Sequence, residues 1–137
     1  MLRRDYLVKQ YEEFGKVLAV IMGMKRDGLF PDMLEEIHKA AQKYTSLEIL
    51  YLEKEKDTDL IKELTEEKKL NDEQLKMLAD LVFEKAEYYA QTSGSENDIA
   101  NCYRKAFLIY SFLKEHATLT YSLDMHYKLE LLAKMEL

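Results

Sequence analysis

From Asn71 to Leu113 the apolar residues recur every three or four positions, the spacing that gathers side chains on one side of an α-helix. Leu75, Leu78, Ala79, Val82, Phe83 and Ala86, followed by Tyr89 or Ala90, mark one helix. Ile99, Cys102, Tyr103, Ala106, Phe107, Tyr110 and Leu113 mark another. Between them Thr92-Ser93-Gly94-Ser95 supplies a helix-ending glycine and a serine whose hydroxyl can accept from the free amide hydrogens of the next helix. The pattern predicts a helical hairpin with a short turn. Asn71 with Gln74 predicts a capping pair at its start.

Upstream, Pro31 fits the first turn of a helix carrying Met33, Leu34, Ile37, Ala40, Ala41 and Tyr44, because its missing amide hydrogen would be unpaired there anyway. Gly28 marks the break before it. Ser46 is expected to cap a short helix through Leu47, Leu50 and Tyr51, and Asp57 or Thr58 another through Leu60, Ile61 and Leu64. The first helix, from Arg4 to Met24, is apolar almost all round over Val17, Leu18, Ala19, Val20, Ile21 and Met22, so the rest of the domain or a partner chain must cover it on several sides. The last, from Thr120 to Met135, carries Met125, Leu129 and Leu132 on one face and Leu123, Tyr127 and Leu131 on another, which predicts a sandwiched position.

Composition agrees with helix. One proline and four glycines in 137 residues leave few breaks, and 47% of the residues are apolar, enough for one domain with its own core. The expected architecture is all-α, with antiparallel helical hairpins stacked in an array or a compact bundle over residues 1–137. A net charge of −6 without clustered Lys and Arg disfavours nucleic acid, since the pairs Arg3-Arg4 and Lys25-Arg26 are too small a footprint for phosphates. The uncharged run from Val17 to Met24 is shorter than the roughly 20 residues a membrane span needs, and no export signal is read. The single cysteine, Cys102, stands at an apolar helical position, which suits a reducing cytoplasm.

The segment Phe83 to Ala106 resembles one unit of the tetratricopeptide family, in which pairs of antiparallel helices stack into a superhelix. Gly94 stands at the inter-helix turn, and Tyr103-Arg104-Lys105-Ala106 is similar to the aromatic-x-x-Ala of that motif's second helix. Ile99 replaces an expected alanine, Glu87 an expected small residue, no proline closes the unit, and no second copy follows at the 34-residue period. At the N-terminus, Arg4-Asp5-Tyr6-Leu7, Glu12-Glu13-Phe14 and Leu18-Ala19 through Gly23 resemble the opening of a family of small uncharacterised helical bacterial proteins. That resemblance implies a bacterial source and carries no activity with it.

Chemistry is hard to find in the chain. Glu35-Glu36-Ile37-His38 contains one Glu-x-x-His, but di-iron carboxylate bundles need two copies and two further glutamates, so a solvated helix face is expected here. His38, His116 and His126 fall on three predicted helices with no spacing that makes them converge, and each is read as structural. Apolar neighbours are expected to raise the Cys102 thiol rather than activate it. No catalytic residue, cofactor or metal is expected. The charge runs Glu53 to Asp59 and Glu66-Glu67-Lys68-Lys69 are read as solvated helix ends.

Ten tyrosines and no tryptophan remain the least ordinary feature, with Tyr88, Tyr89, Tyr103, Tyr110, Tyr121 and Tyr127 crowding the C-terminal half. They fit helix seams with the hydroxyls reaching water, or an aromatic-lined groove for a protein partner. The sequence therefore points to a non-enzymatic protein-interaction domain that forms a homodimer through its first helix. Its candidate surface comprises Val17, Val20, Ile21, Tyr88, Tyr89, Tyr103 and Tyr110. The alternative is a small-ligand or metal-binding bundle whose site gathers dispersed residues such as the three histidines.

Overall fold

A computed structural model describes residues 2–116 and 122–137, with side chains from residue 5 onward. The described residues form seven α-helices and no strand. These are α1 (Leu2–Arg26), α2 (Phe30–Thr45), α3 (Ile49–Lys54), α4 (Leu60–Lys62), α5 (Asp72–Gln91), α6 (Glu96–His116) and α7 (Leu123–Ala133). A π-helical turn, Glu63–Glu67, continues α4.

Local chemistry sets most of the boundaries. Gly28 takes the left-handed conformation at φ 74°, and the Leu29 amide closes the turn on the Met24 carbonyl at 2.9 Å. Pro31 lies in the first turn of α2. Asn71 and Gln74 form a complete capping box: the Gln74 amide donates to Asn71 Oδ1 at 2.8 Å, and the Asn71 amide donates to Gln74 Oε1 at 3.0 Å. Ser95 Oγ accepts from the Asp98 amide at 3.0 Å, and Ser122 Oγ from the Met125 amide at 3.3 Å.

Some expectations change. Ser46 closes α2 instead of opening α3: its φ is 58°, and its amide donates to the Gln42 carbonyl at 3.0 Å. Asp59, not Asp57 or Thr58, precedes α4. Gly94 is needed for space and not for a left-handed φ, since a Cβ there would stand 2.6 Å from Tyr89 Cβ and 2.9 Å from the Tyr89 carbonyl oxygen. The expected start of the last helix at Thr120, with Tyr121, lies outside the described residues, as do the side chains of Arg3 and Arg4.

The centre of the molecule is α5. Every residue from 75 to 86 is buried, which requires neighbours on all sides. Met77 and Leu81 join Phe14 and Ile21 of α1, Met33, Ile37 and Tyr44 of α2, and Ile49 of α3 in one core. Leu75, Leu78, Val82, Phe83 and Ala86 join Cys102, Ala106, Ile109, Tyr110 and Leu113 of α6 and Met125, Leu129 and Leu132 of α7 in the other. α5 and α6 run antiparallel, as the pairs Phe83 with Tyr103 (ring centroids 5.5 Å apart, edge to face) and Asp80 with Tyr110 require.

Two coverings differ from the sequence pattern. On α1, Ile21 is fully buried and Val17 and Leu18 are half-buried, while Val20 and Met22 face outward, so α2 and α5 cover this helix on one side only. α7 is not sandwiched. Met125, Leu129 and Leu132 are buried, but Leu123, Tyr127 and Leu131 are 67%, 62% and 50% exposed, because α7 packs chiefly against α6 and nothing described lies beyond it.

Candidate functional site

Burying α5 on all sides forces its polar residues inside. Lys76, Asp80, Glu84 and Glu87 follow one another at helical spacing along one flank, in the seam between α1 and the α6–α7 pair. Asp80 is fully buried, and its carboxylate accepts from Lys76 Nζ at 2.7 Å, from Lys128 Nζ of α7 at 3.3 Å and from the Tyr110 hydroxyl of α6. Glu84 accepts from Lys25 Nζ of α1 at 2.8 Å, and Glu87 takes the Tyr103 hydroxyl. Three lysines and three carboxylates balance. The Lys128 ammonium also lies 5.1 Å from the Phe83 ring centroid, and that of Lys76 lies 5.6 Å from that of Tyr11.

A second polar knot sits where α3 and the following turn meet α5 and α6. Glu53 accepts from Lys85 Nζ at 2.6 Å and from the Tyr89 hydroxyl at 2.7 Å, and lies 3.5 Å from Cys102 Sγ. Its backbone carbonyl accepts from Asn101 Nδ2 at 2.8 Å. Asp57 accepts from Lys105 Nζ and Arg104 Nε, both at 2.7 Å. Lys85 and Lys105 are buried, so these carboxylates are not the solvated helix ends that the charge run Glu53 to Asp59 predicts. Periodicity could not show this, because whether a lysine is buried depends on what another helix brings to it.

The electrostatics make the knots quiet. Burial pushes the Tyr110, Tyr103 and Tyr89 hydroxyls upward, and the carboxylates beside them, Asp80, Glu87 and Glu53, push the same way. Burial and Glu53 likewise raise the Cys102 thiol well above the usual range, away from the thiolate that a nucleophile needs. Burial raises Glu84 even against the pull of Lys25. For Asp57 burial is outweighed by Lys105 and Arg104, which hold the carboxyl below its ordinary value. No buried side-chain nitrogen or oxygen among the described residues lacks a hydrogen-bond partner, so the knots stand as closed staples between helices.

The candidate surface divides. Ile21, Tyr103 and Tyr110 belong to the core and cannot form part of an outer face. Val17, Tyr88 and Tyr89 are half-buried, with Tyr88 and Tyr89 rings 5.7 Å apart, and Val20 alone of the set is exposed. The histidines lie in separate surroundings. His38 of α2 is held below its ordinary pKa by burial and by Lys85, His116 stacks on Phe112 at 4.4 Å, and His126 lies 3.1 Å from Glu130. Among the described residues, no three His, Cys, Asp or Glu side chains are placed to hold a metal ion.

Large apolar side chains stay exposed near the start of α1, at Tyr6 and Val8, and on the outer side of α7. Leu123, Tyr127 and Leu131 follow one another at four-residue spacing as an apolar stripe that winds gently round the helix, and on its flanks two shallow grooves meet at Phe107 and Ala133. One, of about 350 Å³, is lined by Leu108, Leu132, Met135 and Leu137, with Arg104 and Asp57 at its edge. The other, of about 390 Å³, is lined by Ser111, Lys114, Glu115, His126 and Glu130. No helix among the described residues is long and apolar enough to cross a membrane. Comparison with family models, with curated proteins and with solved structures found no match.

Proposed function

We propose that this chain is a helical protein-interaction domain that works by binding, with the outer side of α7 as its contact face. The observation that carries the reading is the stripe of three large apolar side chains, Leu123, Tyr127 and Leu131, at four-residue spacing on a helix whose opposite side is anchored in the core. Such a face, with a tyrosine at its centre, has the composition of a binding centre. The polar knots are consistent with a structural role, since each buried side-chain nitrogen and oxygen among the described residues already has a hydrogen-bond partner. α1 is the weaker surface, because its exposed large apolar residues stand as two separate pairs, Tyr6 with Val8 and Val20 with Met22, and the members of each pair point to opposite sides of the helix.

Capture experiments with the full chain and with a Leu123→Ser, Tyr127→Ser, Leu131→Ser variant test the reading. Proteins held by the native chain, including further copies of itself, are expected to be lost from the variant while its helical circular dichroism is unchanged. Equal retention by both chains would reject α7 as the contact face.

A further inference from the structure

We propose that residues 47–68 form a hinged strap that lifts as one unit from the α5–α6 hairpin and uncovers Lys85, Lys105 and the Cys102 thiol, while α5 keeps its packing against α1, α2, α6 and α7. Ser46 at φ 58° and Lys69 at φ 55° are the two non-glycine residues in the left-handed region among the described residues, and they stand at the two ends of this segment. That conformation is costly for a residue with a side chain, so opening relieves strain at both ends. The ends are also pinned side by side. The Tyr44 carbonyl accepts from Gln74 Nε2 at 3.2 Å, which joins the end of α2 to the first turn of α5 without passing through the strap. The strap can therefore leave as a closed loop with α2 and α5 in place. Within it the Tyr51 hydroxyl donates to Glu63 at 2.6 Å and the Lys68 ammonium lies 5.0 Å from the Tyr51 ring centroid, tying α3 to the π-helical turn so that they move together.

The strap is thinly held. Five of its 22 residues are buried, Leu47, Ile49, Leu52, Leu60 and Leu64, against twelve of the 20 in α5, so it has less apolar contact to offset the conformational entropy of each ordered residue. Neither α3 nor α4 has a side-chain cap. The polar hold runs one way: Lys85, Tyr89, Asn101, Arg104 and Lys105 of the hairpin donate to Glu53 and Asp57. On opening, the carboxylates and the cations all regain water, which offsets much of the lost pairing. Removing the Asp57 charge acts differently, because it leaves buried Lys105 unpaired only while the strap is closed.

Cys102 reports the opening. It is the chain's single cysteine, it is fully buried, and Glu53 of the strap lies 3.5 Å from its thiol.

Iodoacetamide labelling of Cys102 in the full chain, from water to the urea midpoint, tests the proposal. In water the thiol is expected to react about tenfold or more faster than global unfolding allows, with little dependence on urea, because lifting the strap exposes far less surface than unfolding does. Asp57→Asn, which leaves Glu53 beside the thiol, is expected to raise that rate about tenfold or more. Asp80→Asn, in the seam toward α1 and α7, is expected to lower the urea midpoint and leave labelling in water unchanged. The amides of Glu63 and Lys68, which donate to the Asp59 and Glu63 carbonyls at 2.9 Å, are expected to exchange hydrogen through the same opening. Labelling that follows the urea dependence of global unfolding would overturn the proposal. So would labelling that Asp57→Asn leaves unchanged, or that proceeds while the Glu63 and Lys68 amides stay protected. Should either variant fail to fold, the urea dependence and amide exchange of the native chain decide alone.

Discussion

Asp80 shows what burying a charged helix demands of single residues. Its carboxylate joins helices α5, α6 and α7 through Lys76, Tyr110 and Lys128, and Asp80 and Tyr110 themselves are wholly shut off from water. Asp80→Ala leaves the Tyr110 hydroxyl without its acceptor and Lys76 and Lys128 with only the exposed Asp124, 4.0 and 3.4 Å away, and is expected to cost about 3 kcal/mol of unfolding free energy, read from urea midpoints. A loss under about 1 kcal/mol would mean that the lysines escape to solvent. His38 gives a pH dependence of known sign. Its folded pKa lies below the ordinary 6.5, so the unfolded chain takes up the proton more readily as the pH falls through that value. Stability is then fully present above pH 6.5, is lost on acidification, and levels off below the folded pKa. His38→Leu is expected to lose less stability than the native chain between pH 7 and pH 5, and an equal loss in both would show that His38 contributes nothing.

At the scale of elements, the turn between α5 and α6 is the most sharply specified joint. Gly94 lies against Tyr89 so closely that Gly94→Ala must push the turn away from α5, at an expected cost of about 1–3 kcal/mol in thermal or urea unfolding. Unchanged stability would show that the turn gives way freely. This hairpin was readable from the sequence because its signals are local: apolar spacing over Leu75 to Leu113, the Asn71–Gln74 box, and Ser95. The stretch from Ser46 to Glu67 is less legible. Its helices are short, and Glu53 and Asp57 are placed by Lys85, Lys105 and Arg104 from distant parts of the chain. The same limit hid the character of the α7 face. Periodicity correctly separated Leu123, Tyr127 and Leu131 from Met125, Leu129 and Leu132, but only the packed structure shows which face is covered.

In the whole molecule the two ends of the chain do different jobs. The N-terminal helices and α5 build one apolar core, and α7 closes the second while turning an apolar stripe outward. The long, over-apolar α1 draws attention in the sequence as the natural surface for self-association, yet its Ile21 is spent on the core and its exposed large apolar residues, Tyr6, Val8, Val20 and Met22, stand in two separate pairs. Amide hydrogen exchange, compared between the chain alone in dilute solution and the chain associated with its partner or a second copy, decides between the two helices most directly. Slowed exchange on association is expected over residues 123–133, with no change over residues 5–24. Protection over 5–24 with α7 unchanged would contradict that expectation.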